Sequence, residues 1–162
     1  MGNHTEKILV AFFSHSGITK NAARKIHAIV GGDIYEIKEQ DPYPQNYNAV
    51  VKQAKDEIAK GYQPALKGSL PDISEYNIIF AGSPNWWNTI APPLATFLSS
   101  ADFAGKTIVP FITHGGGGLN RTVSDIEKLA QGANVLSGFD ANNDNRISAW
   151  LKTLNIVGGK NV

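Results

Sequence analysis

The 162-residue chain carries 15 lysines and arginines against 14 acidic residues, a formal net charge of +1, and no cysteine. That length suits one domain with a core large enough to stand without cross-links, and the missing thiols exclude a disulfide framework and a thiolate metal site. The charge balance predicts no strong pull toward nucleic acid or an acidic membrane surface, and no apolar run approaches the roughly 18 residues needed to cross a bilayer.

Ile8-Leu9-Val10-Ala11-Phe12-Phe13 is a continuous apolar run, the pattern of a parallel strand covered on both faces. It stops at Ser14-His15-Ser16-Gly17-Ile18-Thr19-Lys20, a hydroxyl-rich turn that opens into a helix near Gly17. A helix start has outward-facing amides and roughly half a positive charge, which suits a phosphate. Ser14, Ser16 and Thr19 add hydroxyls, and Gly17 allows close backbone approach. A capped strand-to-helix junction without a ligand fits the same residues. Neither a Walker loop nor a Gly-x-Gly-x-x-Gly fingerprint is present, so a monophosphate ranks above ATP or NAD.

Further strand candidates are Asp33–Ile37, Asn77–Gly82, Thr107–Ile112 and Ala133–Leu136. Between them run helical stripes: Ile18, Ala22, Ile26, Ile29 and Val30, capped by Gly31-Gly32, then Tyr47, Val50, Val51, Ala54 and Ile58, ended at Gly61. Pro92-Pro93 opens a third helix, Leu119 to Ala130 forms a fourth, and Ile147 to Leu154 a fifth behind the polar run 142–145. Alternating strands and helices imply right-handed βαβ units in a doubly wound α/β sheet. The chain reads as one domain over 1–162, with a core of about 7–155 and short flexible tails. The first residues offer no apolar signal core, and Glu6 spoils a myristoylation pattern, so a soluble, cytoplasmic protein is expected.

In such sheets, ligands sit beyond the carboxyl ends of the strands where the order reverses. Two more stretches then join the first: Ser83-Pro84-Asn85-Trp86-Trp87-Asn88-Thr89 and Thr113-His114-Gly115-Gly116-Gly117-Gly118. Adjacent indoles in a loop cannot easily share one core, so one should face solvent or a planar ligand, unless both pack on nearby helices. Pro84-Asn85 suits a tight turn. Four glycines carry a large entropy cost, explained either by something lying on the loop or by a hinge. His114-Gly115-Gly116-Gly117 resembles an esterase oxyanion run, but no Gly-x-Ser-x-Gly elbow accompanies it.

Jointly, these stretches resemble the flavodoxins, particularly the short-chain flavodoxin-like proteins, over Ile8 to Leu154. Ser14 to Thr19 is similar to the family's phosphate loop, Gly82 to Trp87 to its Gly-x-Pro-x-Trp-Trp loop, and Phe111 to Gly116 to its third loop. The resemblance implies a five-stranded parallel sheet in the order second, first, third, fourth, fifth, with helices on both faces and non-covalent FMN at the switch point. On it, Ser14, Ser16, Gly17, Ile18 and Thr19 hold the phosphate, and His15 of the same loop is counted as cofactor-binding. Pro84, Asn85, Trp86 and Trp87 lie along the flavin ring, with Ser83 and Asn88 beside them counted as cofactor-binding, and Thr113, His114, Gly115 and Gly116 line its pyrimidine side. No metal is implied. Asn88 stands where relatives often carry glycine, and the near-neutral charge departs from the acidic family norm.

None of the three loops contains Asp or Glu; they carry Lys20, His114 and Arg121, so the pocket is expected to oppose flavin reduction less than a carboxylate-rich one. His114 has two open roles, a donor or proton relay toward the ring, or a loop histidine bonded to backbone. Two functions follow from the resemblance. One is an electron carrier between protein redox partners. The other is an FMN-dependent NAD(P)H:quinone-type oxidoreductase acting on a small quinone-like acceptor. With little room for a nicotinamide domain, the carrier is favoured.

Overall fold

The computed structural model describes residues 7–142 and 144–154. Within them run strands β1 (Ile8–Phe13), β2 (Asp33–Ile37), β3 (Ile78–Trp86), β4 (Thr89–Ile90), β5 (Thr107–Thr113), β6 (Asn134–Val135) and β7 (Phe139–Asp140). The helices are α1 (Ile18–Val30), α2 (Tyr47–Lys60), α3 (Pro92–Ser99), α4 (Thr122–Leu129) and α5 (Ile147–Leu154). Residues 1–6, Asn143 and the tail after Leu154 lie outside the described residues, and with them part of the expected polar lead-in to α5 and the expected frayed tail. Among the described residues no helix is long and apolar enough to cross a membrane.

The sheet runs β2-β1-β3-β5 with every pair parallel, and β6 and β7 continue it beyond β5. The α/β class and the main strand order match the expectation; two details differ. The third strand does not stop at Gly82. It reaches Trp86 because β5 still supports it at Pro84↔Thr113 and β4 folds back antiparallel, pairing Trp86↔Thr89 and Asn85↔Ile90. The turn is therefore Trp87-Asn88, with φ of 55° and 74°, rather than Pro84-Asn85. A two-residue hairpin of this kind needs left-handed backbone at both positions, a conformation that asparagine tolerates at 88.

The fifth strand is also split. Ile108 pairs with Val135 but Phe111 pairs with Phe139, so one extra residue is inserted on that strand around Leu136–Gly138. Gly138 lies where α4 comes down on the backbone: a Cβ there would stand 2.6 Å from Val123 Cγ2.

Strand alternation sorts the core into two layers. Leu9, Ala11 and Phe13 of β1 pack with Leu94, Phe97 and Ile126 from α3 and α4. Val10 and Phe12 pack on the other face with Ala22, Ala23 and Ile26 of α1 and Leu151 of α5. The predicted α1 stripe is corrected at its ends, for Ile18 and Ile29 are 56% and 48% exposed while Thr19 and Ala23 are buried. At the start of the helix Ile18 overhangs a cavity instead of the sheet.

The long crossover from β2 to β3 is doubly anchored. Lys67 N–H donates to the Lys38 carbonyl and Gln40 N–H to that of Ala65, tying the segment after α2 back to the start of the crossover, while Asn46 caps α2 through Ala49 N–H at 2.9 Å. The position of α2 follows: it lies over the carboxyl ends of the central strands.

Candidate functional site

Beyond β1, β3 and β5 opens a cavity of about 510 Å³, lined by His15, Ser16 and Ile18, by Pro84 to Trp87, by Thr113 to Gly115, and by Tyr47, Val50, Val51 and Ala54 of α2. That volume falls within the roughly 300–1,000 Å³ usual for small-molecule sites. The three predicted stretches do converge. The α2 wall was not anticipated.

The first stretch is braced from within. Ser14 Oγ accepts from Gly17 N–H at 3.1 Å and Lys20 N–H at 3.2 Å, so this hydroxyl shapes the turn rather than facing the cavity. Gly17 holds φ 101°, and no protein atom lies within 4 Å of a Cβ built there. The amides of Ile18 and Thr19, at the start of α1, have no intrahelical carbonyl within reach. Thr19 is buried, and its hydroxyl bonds the Thr113 hydroxyl at 2.7 Å, tying the first loop to the third. His15 Nε2–H donates to the Pro44 carbonyl at 3.0 Å. Lys20 is already paired with Glu36 at 3.2 Å.

The second stretch divides its two indoles. Trp86 meets Phe13, Tyr43 and His15 edge-on, at centroid distances of 5.5, 5.1 and 5.9 Å. Trp87 stays 42% exposed, yet its indole N–H donates to the Val51 carbonyl at 2.9 Å and Lys55 sits over its ring. Both indoles therefore have protein neighbours, and each still forms cavity wall. The bond to α2 offsets some of the strain of an aromatic residue at φ 55°. Ser83 is fully buried under the hairpin, accepting from Ala91 N–H, and does not reach the cavity; Asn88 likewise serves the turn. Asn85 spans to the third stretch, donating to Gly118 O and Asn120 Oδ1, both at 2.7 Å.

Tyr43, beneath Trp86, donates a hydrogen bond from its hydroxyl to Glu57 at 2.6 Å. Burial, then that hydrogen bond and the carboxylates of Glu57 and Glu39, push its phenol far above the usual tyrosine range. It stays neutral and fixes α2 to the loop below it.

The third stretch, without a carboxylate of its own, is met by one from outside the three loops. Asp140, at the end of β7, accepts a 2.8 Å hydrogen bond from His114 Nε2–H, while Gly116 N–H donates to His114 Nδ1 at 2.9 Å. Burial raises the Asp140 carboxyl, but the hydrogen bonds from His114 and Asn142 N–H, with the charge of Arg146, outweigh it and hold the group below its ordinary range. Asn142 clamps the His114 peptide, accepting its N–H at 2.7 Å and donating to its carbonyl at 2.6 Å. Both ring nitrogens of His114 are thus engaged within the protein. Neither Gly115 nor Gly116 has a protein atom within 4 Å of an added Cβ, so no crowding inside the fold explains them.

Chemically, the site offers backbone amides and a hydroxyl for an anion at one end, and a flat aromatic and aliphatic slot beside it. Tyr47 and Val51 are legible in hindsight, being apolar positions adjacent to the Val50–Ala54 face that α2 buries.

No curated protein matches the chain. Among solved structures, a candidate flavoprotein of Bacteroides eggerthii is 33% identical, with 93% of this chain and 99% of that one covered at a TM-score of 0.83. One from Bacteroides uniformis is 30% identical, covering 92% and 99% at a TM-score of 0.82. A flavoprotein of Lactobacillus acidophilus, solved in complex with FMN, is 25% identical over 90% of this chain and 99% of that one, with a TM-score of 0.74. The sequence pattern of the family described as Flavodoxin matches residues 7–154. With its sheet order, its three converging loops and that match, the chain belongs to the flavodoxin family.

Proposed function

We propose that the cavity binds FMN non-covalently and that the protein works as a single-domain electron carrier between protein redox partners. One observation carries the reading: a helix start with free amides, an indole hairpin and a glycine turn meet in one cavity at the switch point of the sheet. The residues fit the cofactor, since the backbone at Gly17, Gly115 and Gly116 is unobstructed by protein and the Lactobacillus acidophilus relative was solved with FMN.

Bound FMN would supply the electron-transfer chemistry. The chain supplies the rest. Ser16 and the amides of Ile18 and Thr19 would bind the phosphate. Trp86, held by its edge-on neighbours, and the α2 wall would orient the ring system and exclude water. Asn85 steadies the glycine turn, and His114 keeps one proton at Nε2.

Titration of flavin-free protein with FMN and with riboflavin tests this. Ser16→Ala should weaken FMN about tenfold or more, the worth of a charge-assisted hydrogen bond, and leave riboflavin unchanged. Equal losses for both would remove the phosphate assignment. The apolar α2 wall favours a second reading, an NAD(P)H-dependent reductase of a small quinone-like acceptor. Rapid quinone-dependent NADPH oxidation by the loaded protein alone would select it over the carrier.

A further inference from the structure

The His114 ring is 11% exposed, and its neighbours dictate which tautomer the neutral ring adopts. Gly116 N–H can only donate, so Nδ1 must carry a lone pair; the ring proton therefore sits on Nε2, facing the Asp140 carboxylate. The other Asp140 oxygen accepts from Asn142 N–H at 3.1 Å, so both oxygens act as acceptors. Neutral His114 is thus held as a single tautomer.

A second proton has one place to go. At Nδ1 it would confront the Gly116 N–H across 2.9 Å, and two donors cannot share that gap. The peptide of Gly116 must turn away. Asn85 anchors the far end of the turn at the Gly118 carbonyl, while at Gly115 and Gly116 a built Cβ meets nothing within 4 Å, so there is open space for this peptide to turn. Gly115 is telling. Neither a positive φ nor crowding calls for glycine there, whereas freedom to reorient does. Among the described residues, the titratable and charged groups around the ring are Asp140, Arg146 acting on that carboxylate, and His15 across the cavity.

We propose that His114 is a protonation-gated latch on the glycine turn, with Asp140 its positioning residue. Neutral, the ring stores the Gly116 N–H on Nδ1. On taking a proton from solvent it releases that N–H toward the cavity it lines, adding a donor and a positive charge beside a ligand that becomes more anionic. The latch is a property of the chain; only the identity of the ligand rests on the FMN reading.

Nitrogen-15 NMR of the flavin-free protein across pH 5–9 tests the latch without the cofactor. The expected result is an Nε2–H ring at high pH, with the Gly116 amide moving upfield along the His114 titration at one shared midpoint. An Nδ1–H ring, or a Gly116 signal indifferent to that titration, overturns it. In Asp140→Asn the side chain cannot accept at both of its present contacts, so the single tautomer and the linked Gly116 movement should be lost; Asp140→Glu should restore them in part. Unchanged tautomer and linkage in Asp140→Asn would remove Asp140 from the role. Finally, dithionite reduction of FMN-loaded protein at fixed pH should move both signals toward their low-pH positions. Signals that stay put refute the link to the cavity. A protein that shows the linkage but binds no FMN would instead refute the cofactor reading alone.

Discussion

Replacing Thr19 by valine keeps the shape of the side chain and removes one hydroxyl from a buried pair. The two oxygens lie 2.7 Å apart, and Thr19 and Thr113 are 2% and 3% exposed. The surviving Thr113 hydroxyl would then be sealed from water without a partner, a cost of about 1–3 kcal/mol. Thr113→Val strands the other hydroxyl and should cost a similar amount. The double variant strands neither, and should return to within about 0.5 kcal/mol of the starting protein. Urea unfolding of flavin-free samples reads this directly, flavin being excluded because a bound ligand adds stability by mass action. With a slope of roughly 1–3 kcal/mol per molar in urea, each single variant should lower the midpoint by about 0.5–1.5 M at unchanged slope. A double variant as unstable as the two singles summed would mean that the hydroxyls act separately, and the tie between the first and third loops would be wrong.

Three other outcomes are expected. Gly82→Ala would drive a Cβ to 2.3 Å from the Phe111 ring, so it should destabilise by about 1–3 kcal/mol and be partly rescued by Phe111→Leu; a neutral Gly82→Ala in thermal unfolding contradicts that packing. The Tyr76 hydroxyl donates to Asp33 at 2.6 Å, and that bond, with burial and nearby carboxylates, pushes its phenol up to about 12. Because the folded state keeps the proton longer, the advantage over Tyr76→Phe should be full below about pH 10, the ordinary tyrosine range, and fade as pH rises toward 12; a gap that grows with pH would reverse the sign. Trp87→Phe loses the 2.9 Å bond to Val51, so amide exchange across α2 should speed up about fivefold, as for a net hydrogen bond of ~1 kcal/mol, and unchanged exchange would show that other contacts hold this helix.

The flavodoxin frame was largely readable from local pattern. Continuous apolar runs marked the parallel strands, glycines marked helix ends, and the limits of β2 emerged as expected. Such features depend on residues a few positions apart, whose burial period and backbone freedom are written in order. The Trp87-Asn88 hairpin was less accessible, because the same residues read as a loop until a second strand pairs back on them.

Three features of the site arise from contacts distant in the chain. Val51 meets Trp87 across 36 positions, Asp140 meets His114 across 26, and Thr19 meets Thr113 across 94. A motif names the groups that line a wall, but hydrogen-bond partners are chosen by how helices and strands pack. That is why a set of loops without a carboxylate acquires one from β7, and why two of the predicted hydroxyls, Ser14 and Thr19, are spent inside the protein.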